Sequence, residues 1–282
     1  MRKLFLNTLI CFFLTTRILF AQEVARYDLP ESLGEISGLE MINDSTFVAI
    51  NDGGNKPTLF VLSSEGKVLK KVQVVDANNT DWEDMAIDGK FIYIGDFGNN
   101  ANKRRNLVIY RVKIKDVLND NEVESKKIKF SYADQNEFPP SKKEMNFDSE
   151  GLVCEGDSLI IFTKCNTDPW TGKAFVYKIS KEPGTYIAQK KSELYVGPGG
   201  WVMDAITAVD KYKGHFFLST YNRVIILKYA NKVYSFVKEI IFDDVSQKES
   251  LVVLNKNYIL VADEAHRFLG GGFLIKYKAS YD

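Results

Sequence analysis

The segment DWEDMAIDGKFIYIGDFGNN (residues 81–100) contains two short apolar runs joined by the turn residues Asp88, Gly89 and Lys90. Runs of this length, bounded by Gly, Asp and Asn, are typical of β-strands, so the segment predicts a hairpin. Four other segments can be aligned with it, and no long stretch of the chain has helical periodicity. The second strands of the five pairs are predicted at residues 46–50, 91–95, 159–163, 215–219 and 258–262.

The first strands of these pairs also align with one another. They read ISGLEMI, WEDMAI, SEGLVC, MDAITAV and KESLVVL, starting at Ile36, Trp82, Ser149, Met203 and Lys248. Two more strand candidates follow each pair, such as 58–62 with 67–74 and 106–114 with 126–132. Four strands per unit, repeated five times without a linker, predict an all-β fold and specifically a five-bladed β-propeller.

Six blades are the alternative, because the interval between the second and third first strands is the longest. Two polar, loop-like segments at 116–124 and 134–143 fill that interval, so a sixth blade is not required. The last unit supplies only three strands and ends at 272–278. We expect residues 23–29 to be its outer fourth strand, which would close the ring and make residues 22–282 a single domain.

The first 21 residues predict a signal peptide. Arg2 and Lys3 form a basic start, residues 4–14 are apolar, and Phe20-Ala21 places a small residue at the predicted cleavage site. A membrane anchor is the alternative, but Arg17 interrupts an apolar run that is already shorter than the roughly 20 residues of a spanning helix. We therefore expect an exported protein, periplasmic or extracellular, without a membrane span after cleavage.

Composition favours a soluble globular protein. The 282 residues are 45% hydrophobic, and 37 basic side chains balance 37 acidic ones. This balance argues against nucleic acid or an anionic membrane as the main partner. The predicted hairpin places Cys154 near its turn and Cys165 well past it, so we expect two buried free thiols instead of a disulfide.

The alignment places one polar residue of each first strand in a common column: Ser37, Glu83, Glu150, Asp204 and Glu249. The first strand of each propeller blade lines the central channel, so these side chains should converge on the axis. Converging carboxylates repel unless a cation compensates them, and an all-oxygen ligand set favours Ca²⁺, with Mg²⁺ as the alternative. The other interpretation is that the acids accept backbone N–H groups of the next blade without any metal.

The ends of the second strands should surround this column with further polar groups. Among them we predict Asp52, Asp96 and Asp263 as the carboxylates that activate water. The Gly- and Asn-rich loops that follow form a funnel for a small-molecule, glycan or peptide ligand. The side chains expected to contact that ligand are Lys56, Arg104, Lys164, His266 and Arg267.

This column resembles the axial site of the soluble calcium-activated nucleotidases, or apyrases, five-bladed propellers in which Ser and Glu side chains hold Ca²⁺. Ser37, Glu83, Glu150 and Glu249 match that chemistry, whereas Asp204 replaces a serine. The segment KFIYIGDFGNN after DWEDMAID also resembles an apyrase blade. The sequence is similar as well to secreted phytase-like and lactonase-like propellers, through DxEG-type strands such as residues 148–151. The resemblance implies a metal-centred propeller.

Three functions are consistent with these patterns. The first is a Ca²⁺-dependent hydrolase of a phosphorylated or lactone-type small molecule. The second is a non-catalytic binding module whose cation is structural. The third is an assembly protein that pairs through its blade edges, which the lysines of the predicted outer strands at 67–71 and 126–129 disfavour.

Overall fold

The computed structural model describes residues 18–268 and 270–280, and β-strands account for most of them. None of the helices in these ranges is long and apolar enough to cross a membrane. Residues 1–17, which hold most of the predicted signal peptide, lie outside the described residues.

The first half of the chain contains β1 (Ile18–Phe20), β2 (Gln22–Asp28), β3 (Ile36–Asn43), β4 (Thr46–Asn51), β5 (Thr58–Ser63), β6 (Val68–Val74), β7 (Trp82–Ile87), β8 (Phe91–Asp96), β9 (Leu107–Lys113), α1 (Ile114–Asn119), β10 (Glu122–Val123) and β11 (Lys126–Tyr132). The second half contains β12 (Asp148–Glu155), β13 (Ser158–Lys164), β14 (Lys173–Ser180), β15 (Gly184–Tyr195), α2 (Trp201–Asp204), β16 (Ala208–Tyr212), β17 (His215–Ser219), β18 (Arg223–Ala230), β19 (Val233–Ile241), β20 (Lys248–Asn255), β21 (Tyr258–Asp263) and β22 (Phe273–Lys278). Single 3₁₀ turns occupy Glu31–Leu33 and Lys142–Glu144.

The strands form four sheets in which sequential strands pair antiparallel. One sheet contains β3 to β6 with β10 along its outer edge, and another contains β16 to β19 with β1 along its outer edge. The largest has eight strands, because the outer strands β11 and β15 of two four-stranded runs pair in parallel. The fourth sheet contains β20 to β22 and is completed by β2.

The N-terminal strand β2 pairs antiparallel with β22, from Gln22 opposite Lys278 to Asp28 opposite Phe273. The chain therefore joins its first and last segments in one sheet, as the sequence predicted for residues 23–29. Strand β1 lies parallel to β19. Cleavage at the predicted position after Ala21 would remove β1 and leave β2 in place.

The innermost strands of the four-stranded runs are β3, β7, β12, β16 and β20. Each of them contacts the next, and β20 contacts β3, so they close a ring. Among the described residues, five apolar clusters fill the spaces between successive runs. The alternation of buried side chains along these strands explains the clusters, since the apolar residues of neighbouring runs face each other.

All five predicted second strands are present, and each of their ends lies within one residue of the prediction. The polar segment at 116–124 differs from a plain loop, because it contains most of α1 and β10. Both Cys154 and Cys165 are free, but only Cys165 is fully buried and Cys154 is half-buried.

The fourth inner strand begins later than predicted. The sequence placed a strand from Met203, but Trp201–Asp204 forms the short helix α2 and the strand begins at Ala208. The reason is local: Gly200 has a φ of 83°, a conformation that glycine adopts readily and that turns the chain into the helix.

Candidate functional site

Four of the five inner strands carry a β-bulge near their first residue. The register shifts lie between Ile36 and Gly38, Trp82 and Asp84, Ser149 and Gly151, and Lys248 and Ser250. A bulge leaves one residue without a partner across the ladder and re-aims its side chain. The four bulged residues are Ser37, Glu83, Glu150 and Glu249, which are four of the five members of the predicted column.

These four residues line one cavity of about 200 Å³ at the end of the ring where the inner strands begin. We call it the axial cavity. Its lining also includes Asp52, Lys164, Trp201, Tyr221 and Glu264. The sequence thus correctly placed Ser37, Glu83, Glu150 and Glu249 together, and it also placed Asp52 and Lys164 near them.

Asp204 does not belong to this group. It lies in α2 and does not line the axial cavity. Its Oδ1 forms an ion pair with Nη1 of Arg223 at 2.7 Å, and its Oδ2 accepts a hydrogen bond from the backbone N–H of Gly199. Asp204 is thus the partner of Arg223, and the prediction that it faces the axis with the other acids is corrected.

Thr207 takes the position that the alignment gave to Asp204. Its hydroxyl donates to the carbonyl of Lys248 on the next inner strand, as the Ser37 hydroxyl contacts the carbonyls of Trp82 and Glu83 at 2.7 and 2.6 Å. The signal was in the sequence, since Ile206-Thr207-Ala208-Val209 matches Ile36-Ser37-Gly38-Leu39 residue by residue. The two hydroxyl positions hold neighbouring strands together.

Two carboxylates that the sequence gave no such role connect the inner strands. Asp84 accepts the backbone N–H of Leu152 at 2.8 Å and that of Val209 at 3.4 Å, both on later inner strands. Asp210 accepts the N–H of Val253 at 2.6 Å. The alternative interpretation of acids as links between blades is therefore realised, but by Asp84 and Asp210 and not by the acids of the axial cavity.

Glu83 is the acid that the two groups of neighbouring carboxylates in the site share. It is 8% exposed, and its carboxylate lies among other carboxylates. Carboxylate oxygens of Asp52 and Asp81 lie within 4.8 Å of one another and of Glu83, and a second group of the same kind joins Glu83 to Asp148 and Glu150. Burial raises the pKa of Glu83 well above its ordinary value, and the charge of Glu150 raises it further.

The loop after β8 is packed against these carboxylates at Gly98. A Cβ atom at this position would lie 2.1 Å from Oε1 of Glu83 and 2.7 Å from the Asp81 carboxyl group. Only glycine therefore allows the backbone to approach the site so closely. The FGNN motif of residues 97–100 is explained by this contact and by the N–H of Asn99, which Asp148 accepts.

Lys164 forms a buried ion pair with Glu150. The Nζ–Oε1 distance is 3.0 Å, and the two side chains are 5% and 3% exposed. Burial alone would lower the pKa of Lys164, but the carboxylates of Glu150 and Glu249 raise it well above its ordinary value. Burial likewise raises the pKa of Glu150 although Lys164 opposes this effect. Both shifts favour bound protons, so one ammonium group does not balance the acids of the cavity.

Glu249 and Glu264 form a second acidic pair in the same cavity. Glu249 accepts the hydroxyl of Tyr221 at 2.9 Å, and Glu264 accepts the amide of Gln247 at 3.0 Å. Burial and then the charge of Glu249 raise the pKa of Glu264 to about 7. Glu264 therefore titrates near neutral pH, which is the range required of a general acid or base.

The other predicted catalytic acids have structural contacts. Asp96 pairs with Arg104 at 2.7 Å and accepts the backbone N–H of Asp81. Asp263 accepts the N–H of Phe273 at 2.8 Å and the hydroxyl of Ser246 at 2.9 Å. Neither lines the axial cavity, whereas Asp52 does.

Of the predicted substrate contacts, only Lys164 lines the axial cavity. Arg104 is occupied by Asp96 and by the Gly98 carbonyl. Lys56 lines a different cavity, next to β5 and β6. His266 and Arg267 lie in the exposed connection between β21 and β22, where His266 pairs with Gly270.

The protein without bound metal is expected to lose stability as the pH rises from about 5 to 8. Burial raises the pKa of Asp81 to about 6 and that of Glu264 to about 7. The folded protein then holds protons that the unfolded chain, with carboxyl pKa values near 4, has already released. The resulting stability is fully present below about pH 4 and is lost as the pH passes the folded-state values. Melting temperatures measured in chelator across this range check the sign.

A double variant, Asp81→Asn with Glu264→Gln, is the control for this pH dependence, because it removes two of the groups that titrate in this range and leaves Asp210, whose pKa burial raises to about 6. Its melting temperature should vary less between pH 5 and 8 than that of the wild-type protein. A wild-type melting temperature that rises over the same interval would contradict the assignment.

Comparison with known proteins gives a fold but no family. No protein-family model matches the chain, and no curated protein matches it in sequence. Among solved structures, the glutaminyl cyclase of Myxococcus xanthus has a TM-score of 0.59 and 12% identity, over 93% of this chain and 97% of that one. The virginiamycin B lyase of Staphylococcus aureus has a TM-score of 0.43 and 11% identity, over 90% and 69%. A protein of unknown function from Bacteroides thetaiotaomicron has a TM-score of 0.47 and 9% identity, over 92% of this chain and 72% of that one.

The fold is β-propeller-like. At 12% identity the likeness extends to the fold alone and assigns no chemistry to the axial cavity. The resemblance to apyrases and to phytase-like and lactonase-like propellers has no sequence-family support and stays a prediction.

Proposed function

We propose that this chain is an exported, five-bladed propeller that binds Ca²⁺ in the axial cavity and hydrolyses a small phosphorylated or lactone-type molecule. The observation that carries the proposal is the clustering of acids around Glu83, which is 8% exposed and belongs to two groups of carboxylates whose oxygen atoms lie within 4.8 Å of one another. Carboxylates buried together repel one another, and a bound cation would compensate them. Five blades follow if the eight-stranded sheet counts as two, and export is part of the proposal because residues 1–21 have the pattern of a signal peptide.

The donor set fits a hard cation. Glu83 groups with Asp52 and Asp81 and also with Asp148 and Glu150, all through oxygen atoms. Asp52 and Glu150 line the axial cavity, whereas Asp81 and Asp148 do not line it and would support the ligands. Ca²⁺ accepts six to eight oxygen ligands in flexible geometry, whereas Mg²⁺ requires a regular octahedron, so Ca²⁺ is the better match and Mg²⁺ the alternative. When bound, the cation would supply charge stabilisation for an oxygen atom of the substrate.

Glu264 is the best candidate for the base that activates water, and Asp52 is the alternative if it does not bind the cation. Both line the axial cavity, and Glu264 has a pKa of about 7, so a large fraction of it can accept a proton at neutral pH. This assignment keeps Asp52 from the sequence-based prediction and adds Glu264 in place of Asp96 and Asp263.

A non-catalytic binding module is the second candidate, and the Lys164–Glu150 ion pair favours it. This pair already places one positive charge among the acids, so a cation could complete the site for structural reasons alone. Turnover separates the two functions. If the protein with saturating Ca²⁺ is inert against nucleoside diphosphates, phytate, phosphotriesters and lactones, the hydrolytic function is wrong and the binding function remains.

Replacing Glu83 with Gln is the test of the metal site. The wild-type protein should melt several degrees higher in Ca²⁺ at about 100 times its dissociation constant than in chelator, because that occupancy contributes about 2.7 kcal/mol. The Glu83→Gln variant should lose most of this difference. In chelator it should melt at or above the wild-type temperature, since the substitution removes one of several buried acids that repel one another.

Glu65→Gln is the matched control for this variant. Glu65 is exposed in the turn between β5 and β6, which antiparallel pairing places at the end of the sheet opposite to the axial cavity. Its calcium response should equal that of the wild-type protein. Equal melting curves in Ca²⁺ and in chelator for the wild-type protein would eliminate the site.

A further inference from the structure

The axial cavity has a second half that the metal ligands do not use. Tyr221 donates to Glu249, and its ring lies 5.7 Å from that of Trp201 at 80°. Glu264 accepts the amide of Gln247 at 3.0 Å, two residues before Glu249 in the chain. We call these four residues, Trp201, Tyr221, Glu249 and Glu264, the aromatic wall. They are therefore neighbours of one another, and all of them line the cavity.

Trp201 is fixed in place and still accessible. Its Nε1 donates to Oδ1 of Asn166 at 3.1 Å, and the edge-to-face contact with Tyr221 sets the tilt of the ring. Even so, the residue remains 43% exposed. The ammonium group of Lys164 lies 4.9 Å from the centre of the ring, so this ring already accepts a cation. A held aromatic ring with free surface beside a cavity is suited to contact a ligand.

The charges of the wall are not balanced. Asp52, Glu83, Glu150, Glu249 and Glu264 line the cavity, and Lys164 is the only cationic side chain among its described lining residues. Lys164 is bonded to Glu150. A divalent cation at Glu83 would compensate the acids around it. The charge of Lys164 also acts on Glu249 and Glu264, but their hydrogen-bond donors are the neutral groups of Tyr221 and Gln247, so one ammonium group serves three carboxylates.

We infer that the ligand of this cavity carries a positively charged nitrogen, which binds between Glu249, Glu264 and the face of Trp201. Carboxylates and an aromatic face together are the groups that recognise an organic ammonium ion. The inference rests on the proposed function, and it restricts the phosphorylated or lactone-type substrate to one that bears an amine. The cavity of about 200 Å³ is smaller than the usual range of roughly 300–1,000 Å³ for small-molecule sites, so the substrate is small.

Three probes of similar size and different charge test the inference on the wild-type protein. They are 2-phenylethylamine, 2-phenylethanol and 3-phenylpropionate, measured by calorimetry near pH 7.5 with Ca²⁺ at saturation. The amine should bind at least about tenfold more tightly than the alcohol, and the carboxylate should not bind. Equal binding of all three, tighter binding of the carboxylate, or no binding of the amine would overturn the inference.

Two variants assign the contact to the aromatic wall. Glu264→Gln should weaken binding of the amine at least about tenfold and leave the alcohol unchanged, whereas Trp201→Leu should weaken both. Glu65→Gln, at the opposite end of the sheet, should bind all probes as the wild-type protein does. Amine binding that survives both variants would place the nitrogen elsewhere and contradict the inference.

The same proteins separate this inference from the proposed function. Glu264→Gln and Trp201→Leu should keep the calcium-dependent rise in melting temperature, because neither residue belongs to the group around Glu83. A calcium response without amine binding contradicts the ammonium site alone. Amine binding without a calcium response contradicts the metal site and supports the ammonium site.

Discussion

Replacing Lys164 with methionine should lower the melting temperature of the calcium-free protein by roughly 10 °C. The ion pair with Glu150 is almost fully buried, at 3.0 Å, and the variant leaves the carboxylate without its counter-charge. Removing one partner of a buried pair costs about 3–5 kcal/mol, which corresponds to a shift of this order in a domain of this size. Thermal melting in chelator at neutral pH measures it.

Calcium should have a larger effect on this variant than on the wild-type protein. Without the ammonium group, the acids around Glu83 and Glu150 attract a cation more strongly, so the dissociation constant for Ca²⁺ should fall at least about tenfold. The deficit in melting temperature should then shrink when Ca²⁺ is added. It should also shrink near pH 5, because burial raises the pKa of Glu150 and the unpaired carboxyl group takes up a proton.

The double variant Lys164→Met with Glu150→Gln is the control, since it removes both charges and should recover much of the lost stability. Its affinity for Ca²⁺ should be lower than that of the single variant, because one carboxylate is gone. If Lys164→Met melts at the same temperature as the wild-type protein, Glu150 holds a proton at neutral pH and the ion pair contributes little to stability.

The order of the strands could be predicted from the sequence because every repeat buries the same alternation of apolar residues. Turn residues such as Asp88-Gly89 marked the ends of the strands, and the closing strand β2 followed from counting three strands in the last unit. The pairing of β11 with β15 could not be predicted, since parallel contact between outer strands depends on how neighbouring units pack.

The candidate site was predicted only in part, for a physical reason that particular residues illustrate. Residue type does not tell which acid faces a cavity and which accepts backbone N–H groups, because both positions favour a carboxylate. Glu83 and Asp84 are adjacent, yet a bulge sends the first toward the axial cavity and the second toward the backbone of β12. The roles of Tyr221 and Glu264 depend on contacts between distant segments, which no local pattern records.

Asp204→Asn should lower the melting temperature by several degrees whether or not Ca²⁺ is present. Its partner Arg223 lies at 2.7 Å with 12% of its side chain exposed and also pairs with Glu239 at 3.3 Å, so the variant leaves a partly compensated charge and costs about 1.5–3 kcal/mol.

The calcium-dependent shift of Asp204→Asn decides between the aligned column and the observed structure. If Asp204 were a ligand, as the alignment of first strands predicts, the variant would bind Ca²⁺ more weakly and its shift would fall. Thr207 occupies that position, and Asp204 does not line the axial cavity. We therefore expect Ca²⁺ to raise the melting temperature of the variant by as much as it raises that of the wild-type protein, although the variant is less stable. The additional substitution Arg223→Met should not restore stability fully, since Arg223 also donates to the carbonyl of Val196 at 2.7 Å. A loss of calcium affinity in Asp204→Asn comparable to that in Glu83→Gln would return Asp204 to the metal site and contradict the placement of α2.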